Sequence, residues 1–168
     1  MTSIDNTTFP IEAAEALAPY GADHVALFQY WQLLRDAAGG LPPWRSFDPI
    51  QVPQHLACLW VVEVHEAPRR LRYRLVGTRI VASFGHETTG KWFDEIWPHL
   101  AGQPDYTQRY TDAIAQVRPN FRRGKPRMIA QRDWARIENL FLPFQHPGLG
   151  GIIAAYSHLY DQDGRRIY

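Results

Sequence analysis

Seven histidines, one cysteine and a few neighbouring carboxylates are the side chains here suited to metal binding, nucleophilic attack or proton transfer. The histidines are scattered: His24, His55, His65, His86, His99, His146 and His158. No two stand as His-x-x-x-His on one helix, and none is spaced from Cys58 as metal ligands are, so spacing assigns no metal centre. Cys58 opens a strongly apolar segment and reads as a buried structural thiol. A single cysteine makes no intrachain disulfide, so the fold needs no oxidising compartment. Asp94-Glu95 stand side by side, and adjacent helical residues do not share a face, which argues against an acid–base pair. Asp161-Gln162-Asp163-Gly164 reads as a turn. The chain has no Gly-x-Ser-x-Gly elbow and no phosphate-cradling glycine loop ahead of Lys-Ser/Thr. The glycine cluster Gly148-Leu149-Gly150-Gly151 joins two apolar runs and reads as a hairpin loop.

Composition narrows the classes further. The 168 residues suit one domain, and 45% hydrophobic against 21% charged residues is a globular balance. A formal net charge of +1 offers no global attraction to nucleic acid. Arg69-Arg70, Arg122-Arg123 and Arg165-Arg166 each lie beside a turn signal and read as solvated turns. The start, with Asp5, Glu12 and Glu15, does not resemble a secretory leader, and no run approaches a membrane span. A cytoplasmic location is the expectation.

The positioning elements follow from periodicity. Residues 1–22 read as an arm, with a short helix over 11–17 as its one candidate element. Asp23 reads as an N-cap for an amphipathic helix ending at Gly39-Gly40. Four prolines make 41–56 a linker. The run 57–65 is a strand covered on both faces, around Leu59-Trp60-Val61-Val62. The run 71–76 alternates with period two. Short helices follow over 79–84 and up to Ile96, the second stopped by Pro98, then a longer helix from near Pro104 to Val117. Three strands close the chain: 120–131, 137–144 and 151–158. Two strands, helices, then three strands points to an α+β fold with a five-stranded antiparallel sheet, not a parallel α/β one.

Particular residues carry a resemblance. Tyr73-Arg74-Leu75-Val76-Gly77-Thr78, Phe84-Gly85, Thr89-Gly90 and Asp94-Glu95-Ile96 fall in that order. Tyr30-Trp31, Asp48-Pro49 and Leu140-Phe141-Leu142-Pro143-Phe144 join them. Together they resemble a family of bacterial PAS-fold domains of uncharacterised function, over roughly residues 25–158. The resemblance implies a PAS-like domain over 41–168, preceded by a helix over 23–40, with a sensory or regulatory role acting through a ligand or a signalling partner protein. It carries over no catalytic residue and no cofactor. Some PAS domains hold haem through a histidine near the long helix, where only His99 stands. Flavin-type PAS sensors use a cysteine in the short helices, where there is none. A colourless protein is expected.

Within such a fold, Trp60, Val62, Tyr73, Leu75, Ile80, Phe84, Trp92, Tyr110 and Phe144 are the expected wall of a ligand chamber, with Phe93 and Trp97 close by. The same rings could instead fill the core and leave no void. Arg74 and Arg79 flank Gly77, where they are either surface groups or a rim for a carboxylate. The first helix carries a wide stripe of Leu27, Phe28, Tyr30, Trp31 and Leu34. If free, such a stripe would form a homodimer interface. A small cone-shaped α+β enzyme and a pure interaction scaffold are the rival readings.

Overall fold

A computed structural model describes residues 6–103, 105–128 and 134–167. Its strands are β1 (Thr7–Pro10), β2 (Leu59–His65), β3 (Arg70–Val76), β4 (Asn120–Gly124), β5 (Arg136–Phe144) and β6 (Gly151–Tyr160). They pair antiparallel in the order β1-β4-β5-β6-β2-β3. The helices are α1 (Ala22–Ala38), α2 (Thr78–Phe84), α3 (Phe93–Ile96), α4 (Pro98–Ala101) and α5 (Gln108–Ala115). The α+β class and antiparallel sheet are as expected. The expected helix start at Pro104 and the strand tail over 129–131 lie outside the described residues.

The sheet has six described strands rather than five because the segment read as an arm supplies β1. Thr7–Pro10 pairs with β4, and Ile11 and Leu17 beyond it are buried. A polar, proline-bearing segment is tolerated there because an edge strand needs ladder bonds on one side only. Pro98 follows the end of α3 at Ile96, as expected, but also opens a further helix, α4, since a proline fits the first turn of a helix. Asp23 sits inside the first turn of α1, and Gly21 is its N-cap.

Both faces of the sheet are covered. On one, α1 packs Leu27, Phe28 and Trp31 against Leu59, Val61, Leu140, Leu142, Phe144 and Tyr156. On the other, α2–α5 cover Trp60, Val62, Val64, Leu71, Tyr73, Phe141 and Ile153. The apolar parity on both sides explains why β5 and β6 read as almost unbroken hydrophobic runs. Buried indoles find acceptors: Trp31 Nε1 donates to the Pro143 carbonyl at 2.8 Å, and Trp60 Nε1 to Ser157 Oγ at 2.8 Å.

The stripe on α1 is therefore not a free face. Leu27, Phe28 and Trp31 are all 0% exposed, and Tyr30 and Leu34 pack at the margin of the same cluster. Tyr30 Oη accepts from the Asp48 amide at 2.8 Å, tying the helix to the linker. The width that marked the stripe as an interface is used to cover the chain's own sheet. The argument for a dimer through these residues falls with it.

Gly77 shows how closely the strands and short helices meet. Its amide donates to the Leu59 carbonyl at 2.7 Å. A Cβ there would run into the backbone oxygen of Leu56 and come within 2.6 Å of that of Ala57. Backbone cannot yield as a flexible side chain does, so Gly77→Ala is expected to cost about 1–3 kcal/mol in urea denaturation. Leu27→Glu places a carboxylate in a dry, unpaired position. It should cost at least about 3 kcal/mol, against less than about 0.5 kcal/mol for Leu33→Glu on the outer face of the same helix. Leu33 is 70% exposed, which makes it the control. A folded, fully stable Leu27→Glu protein by circular dichroism would contradict this packing.

Candidate functional site

The face under α2–α5 holds a cavity of about 80 Å³. A water takes about 10–15 Å³ on this scale, so there is room for a small molecule and little more. Its apolar wall includes Trp60 from β2, Ile80 and Phe84 from α2, Phe93 from α3, Tyr110 from α5 and Phe141 from β5. Met128, Ile137 and Leu159 complete it. The rings meet edge to face or tilted: Tyr110 and Phe141 centroids lie 4.6 Å apart, and Trp60 and Phe141 5.7 Å.

Of the expected wall, Trp60, Ile80, Phe84 and Tyr110 line this cavity. Val62 and Tyr73 are buried on the same face, behind the lining. Tyr73 instead braces it: its hydroxyl accepts from Trp97 Nε1 at 2.9 Å and lies 3.2 Å from Met128 Sδ. Burial raises the Tyr73 hydroxyl pKa well above its ordinary value, so the phenol stays neutral.

Three expected wall residues lie elsewhere. Leu75 is 50% exposed, because the β2–β3 register slips between Val61 and Val62. Val62 pairs with Tyr73 but Val61 pairs with Leu75, so Arg74 is the extra residue. This bulge inverts the alternation: Val76, not Leu75, joins Tyr73 on the helix side. Phe144 belongs to the α1 face, since parity along β5 puts Phe141 and Phe144 on opposite sides. Trp92 precedes α3 in an extended conformation and lies outside the cavity. It stacks on the Arg70 guanidinium at 4.1 Å, while Arg70 also grips Asp94 at 2.7 and 2.8 Å. Phe93 takes the inward place.

The polar groups of the wall are the ones the sequence reading missed. Arg109, at the start of α5, lies over the Phe141 ring at 3.6 Å to the centroid. Its Nε donates to Asn120 Oδ1, and its Nη1 to Asn139 Oδ1. Its Nη2 donates to the Asn139 carbonyl at 2.9 Å. All these acceptors are neutral. Among the described residues no carboxylate forms an ion pair with Arg109 or with Arg122, which also lines the cavity. Burial, then the neighbouring Arg122 and Arg127, depresses the Arg109 pKa well below the arginine range. Burial and Arg127 act on Arg122 in the same direction. A guanidinium does not give up its proton in a protein, so the depression measures a charge held at a cost. Arg127 at the rim pairs with Asp105 at 3.4 Å.

Arg122 corrects the reading of Arg122-Arg123 as a solvated turn: both lie in β4, and parity sends Arg122 to the cavity and Arg123 to Glu138 on the other face. The available signal was a polar residue in an apolar run, as Asn139 is within β5. Arg74 and Arg79 are surface groups, and Arg74 pairs with Glu63 at 2.9 Å. His99 is exposed and bonds the Arg127 carbonyl at 2.8 Å. Cys58 is buried in the α1-side core.

Tyr73→Phe should cost about 1–3 kcal/mol in chemical denaturation, because it strands the buried Trp97 N–H. Tyr73→Ala should cost about 3–5 kcal/mol. A Tyr73→Phe protein as stable as wild type would show that the hydroxyl is no brace.

Two strands, short helices packed over them, a longer helix and a three-strand meander now stand with a cavity between sheet and helices. A family model described as a PAS domain matches residues 22–150. No curated protein matches the chain, and no solved structure does. No described helix is long and apolar enough to cross a membrane. The match spans the helix that covers one sheet face and most of the cavity wall on the other, short of Ser157 and Leu159 on β6, and the chain belongs to the PAS domain family.

Proposed function

We propose that this PAS domain is a sensory or regulatory module whose cavity takes a small monocarboxylate with an apolar or aromatic body. The observation that carries the reading is Arg109, a cation set in an aromatic wall with only neutral acceptors around it among the described residues. A carboxylate would supply the missing countercharge, and Trp60, Phe93, Tyr110 and Met128 would hold the body. The size of the cavity limits that body to roughly a single ring or a short branched chain. Binding would then be passed to a signalling partner protein.

Binding without turnover is part of the proposal. The serine hydroxyls of the wall are engaged, since Ser83 Oγ donates to the Ile80 carbonyl at 2.7 Å and Ser157 Oγ accepts from Trp60. Asp105, the carboxylate among the described lining residues, is paired with Arg127. On this reading the described wall offers no activated nucleophile and no acid–base pair.

The test is calorimetric titration of benzoate and isovalerate against benzamide and isovaleramide, with melting temperatures alongside. One charge-assisted hydrogen bond is worth about 1.5–3 kcal/mol, so the acids should bind at least about tenfold more tightly. Arg109→Met should abolish the preference. Equal binding of acid and amide would overturn the anionic reading. No response to any of the four would put the filled-core scaffold ahead.

A further inference from the structure

Opposite the cavity, on the α1 face of the sheet, three buried ligand-type side chains converge from three elements. Glu138 on β5 and His158 on β6 are direct cross-strand partners. His24 comes down onto them from α1, with its ring centroid 4.7 Å from that of His158. All three are under 5% exposed, and one donor atom from each lies within 4.8 Å of the others. Three ligands drawn from positions 24, 138 and 158 share no sequence spacing, which is why the motif reading found no metal centre.

The hydrogen-bond state of the rings is the second, independent observation. Both ring nitrogens of His24 are buried with no hydrogen-bond partner, and so is Nδ1 of His158. Buried polar atoms are rarely left in this state without a reason such as an ion. His158 Nε2 meets Tyr156 Oη at 2.9 Å and Asp23 Oδ2 at 3.5 Å. A proton held at Nε2 by those oxygens leaves the Nδ1 lone pair directed at nothing else, the outer-shell arrangement that orients a ligating histidine. Burial pushes His24 down to about 3 and His158 to about 4, and Arg166 lowers both as well. Both rings are therefore in the neutral, ligating form at neutral pH.

We propose that His24, Glu138 and His158 form a site for one divalent transition metal of the zinc class, clamping α1 to β5 and β6. Two imidazoles and a carboxylate are a borderline donor set suited to zinc, cobalt or iron(II), not to calcium or magnesium. Donors on a tetrahedral ion at about 2.0–2.1 Å stand about 3.4 Å apart, so the rings must close in by roughly an ångström. His24 is free to do so, having no hydrogen bond to break. The opposing charges are Arg123 and Arg136, at 3.4 and 3.5 Å from Glu138 Oε1, and Arg166, at 3.3 Å from His158 Nε2. Each of the three reaches solvent and can turn outward. Glu138 Oε2 keeps its bond from Tyr160 Oη at 2.8 Å. Asp23 also holds His55 Nε2 at 3.3 Å, which makes His55 a support of the site and not a ligand.

The experiment uses the full chain, stripped with a chelator and titrated with Zn²⁺ against a chromophoric competitor, and with Co²⁺ read by its visible absorption. The expected result is one tight equivalent of Zn²⁺ with a raised melting temperature, and a tetrahedral-type Co²⁺ band displaced by zinc. His24→Phe keeps a ring between Phe121 and Tyr156, and Glu138→Gln keeps the Tyr160 acceptor. Each should weaken that equivalent by at least about tenfold. His146→Ala, at a half-buried histidine in the loop between β5 and β6, should leave it unchanged. If His24→Phe does not fold by circular dichroism, Glu138→Gln decides. Absence of a tight equivalent in wild type, or an equivalent unchanged in the folded variants, overturns the site. Neither result bears on carboxylate binding in the opposite cavity.

Discussion

Because both faces of the sheet are covered, nearly every residue of β2, β5 and β6 is assigned by parity to one of two dry compartments, the exceptions being half-buried residues towards the strand ends such as Glu63, His65, Arg136 and Tyr160. This constraint governs the rest of the molecule. An apolar residue satisfies it on either side. A polar residue must find partners wherever parity sends it, with no water to stand in for them. The two sites are the places where polar residues of β4 and β5 meet that demand in opposite compartments.

The pairing is residue by residue. On β5, Glu138 turns to the α1 side and Asn139 to the cavity. On β4, Arg123 pairs with Glu138 and Arg122 lines the cavity. Adjacent peptide units thus hold Arg109 through Asn139 on one face and the His24–Glu138–His158 cluster on the other. The same short stretch of strand fixes the geometry of both. A local change in the β4–β5 register, which would exchange the two sides, cannot alter one compartment and spare the other.

Much of this was legible in the sequence. The covered strand around Trp60, the three closing strands, the amphipathic first helix and the glycine at the start of the short helices were all read from period and punctuation. Trp60, Ile80, Phe84 and Tyr110 line the cavity as their parity and helix positions imply. Other features were hidden for definite reasons. The bulge at Arg74 leaves no mark on composition, so Leu75 continues the alternation on paper and faces outward in space. β1 is an edge strand made by pairing with β4, a partner some 110 residues away, and its own propensity is poor. The stripe on α1 was read correctly as apolar but not as covered, because amphipathicity says that a face is buried without saying against what. The histidine cluster joins three elements and has no local pattern at all.

Membership of the PAS family settles the architecture and leaves the ligand to the site itself. On the proposed reading the site would separate two kinds of selection. Its aromatic and aliphatic wall gains from any body that fits, at roughly 25 cal/mol per Å² of apolar area covered, and so discriminates by size. Arg109 would discriminate by charge. Four of its five N–H groups meet the amide and carbonyl oxygens of Asn120 and Asn139, so one N–H at Nη1 is left for a ligand and a neutral polar ligand would gain little more than that single bond. Those oxygens satisfy hydrogen bonds but carry no net charge. A full negative charge about 4 Å away would be worth about 4 kcal/mol at an effective dielectric of about 20, less the cost of drying the carboxylate. That difference would act together with the one hydrogen bond still open at Nη1. The asparagine cradle therefore keeps the guanidinium in place while leaving its charge, like that of Arg122 beside it, without an ion pair among the described residues, and an anion of the right size would meet that demand.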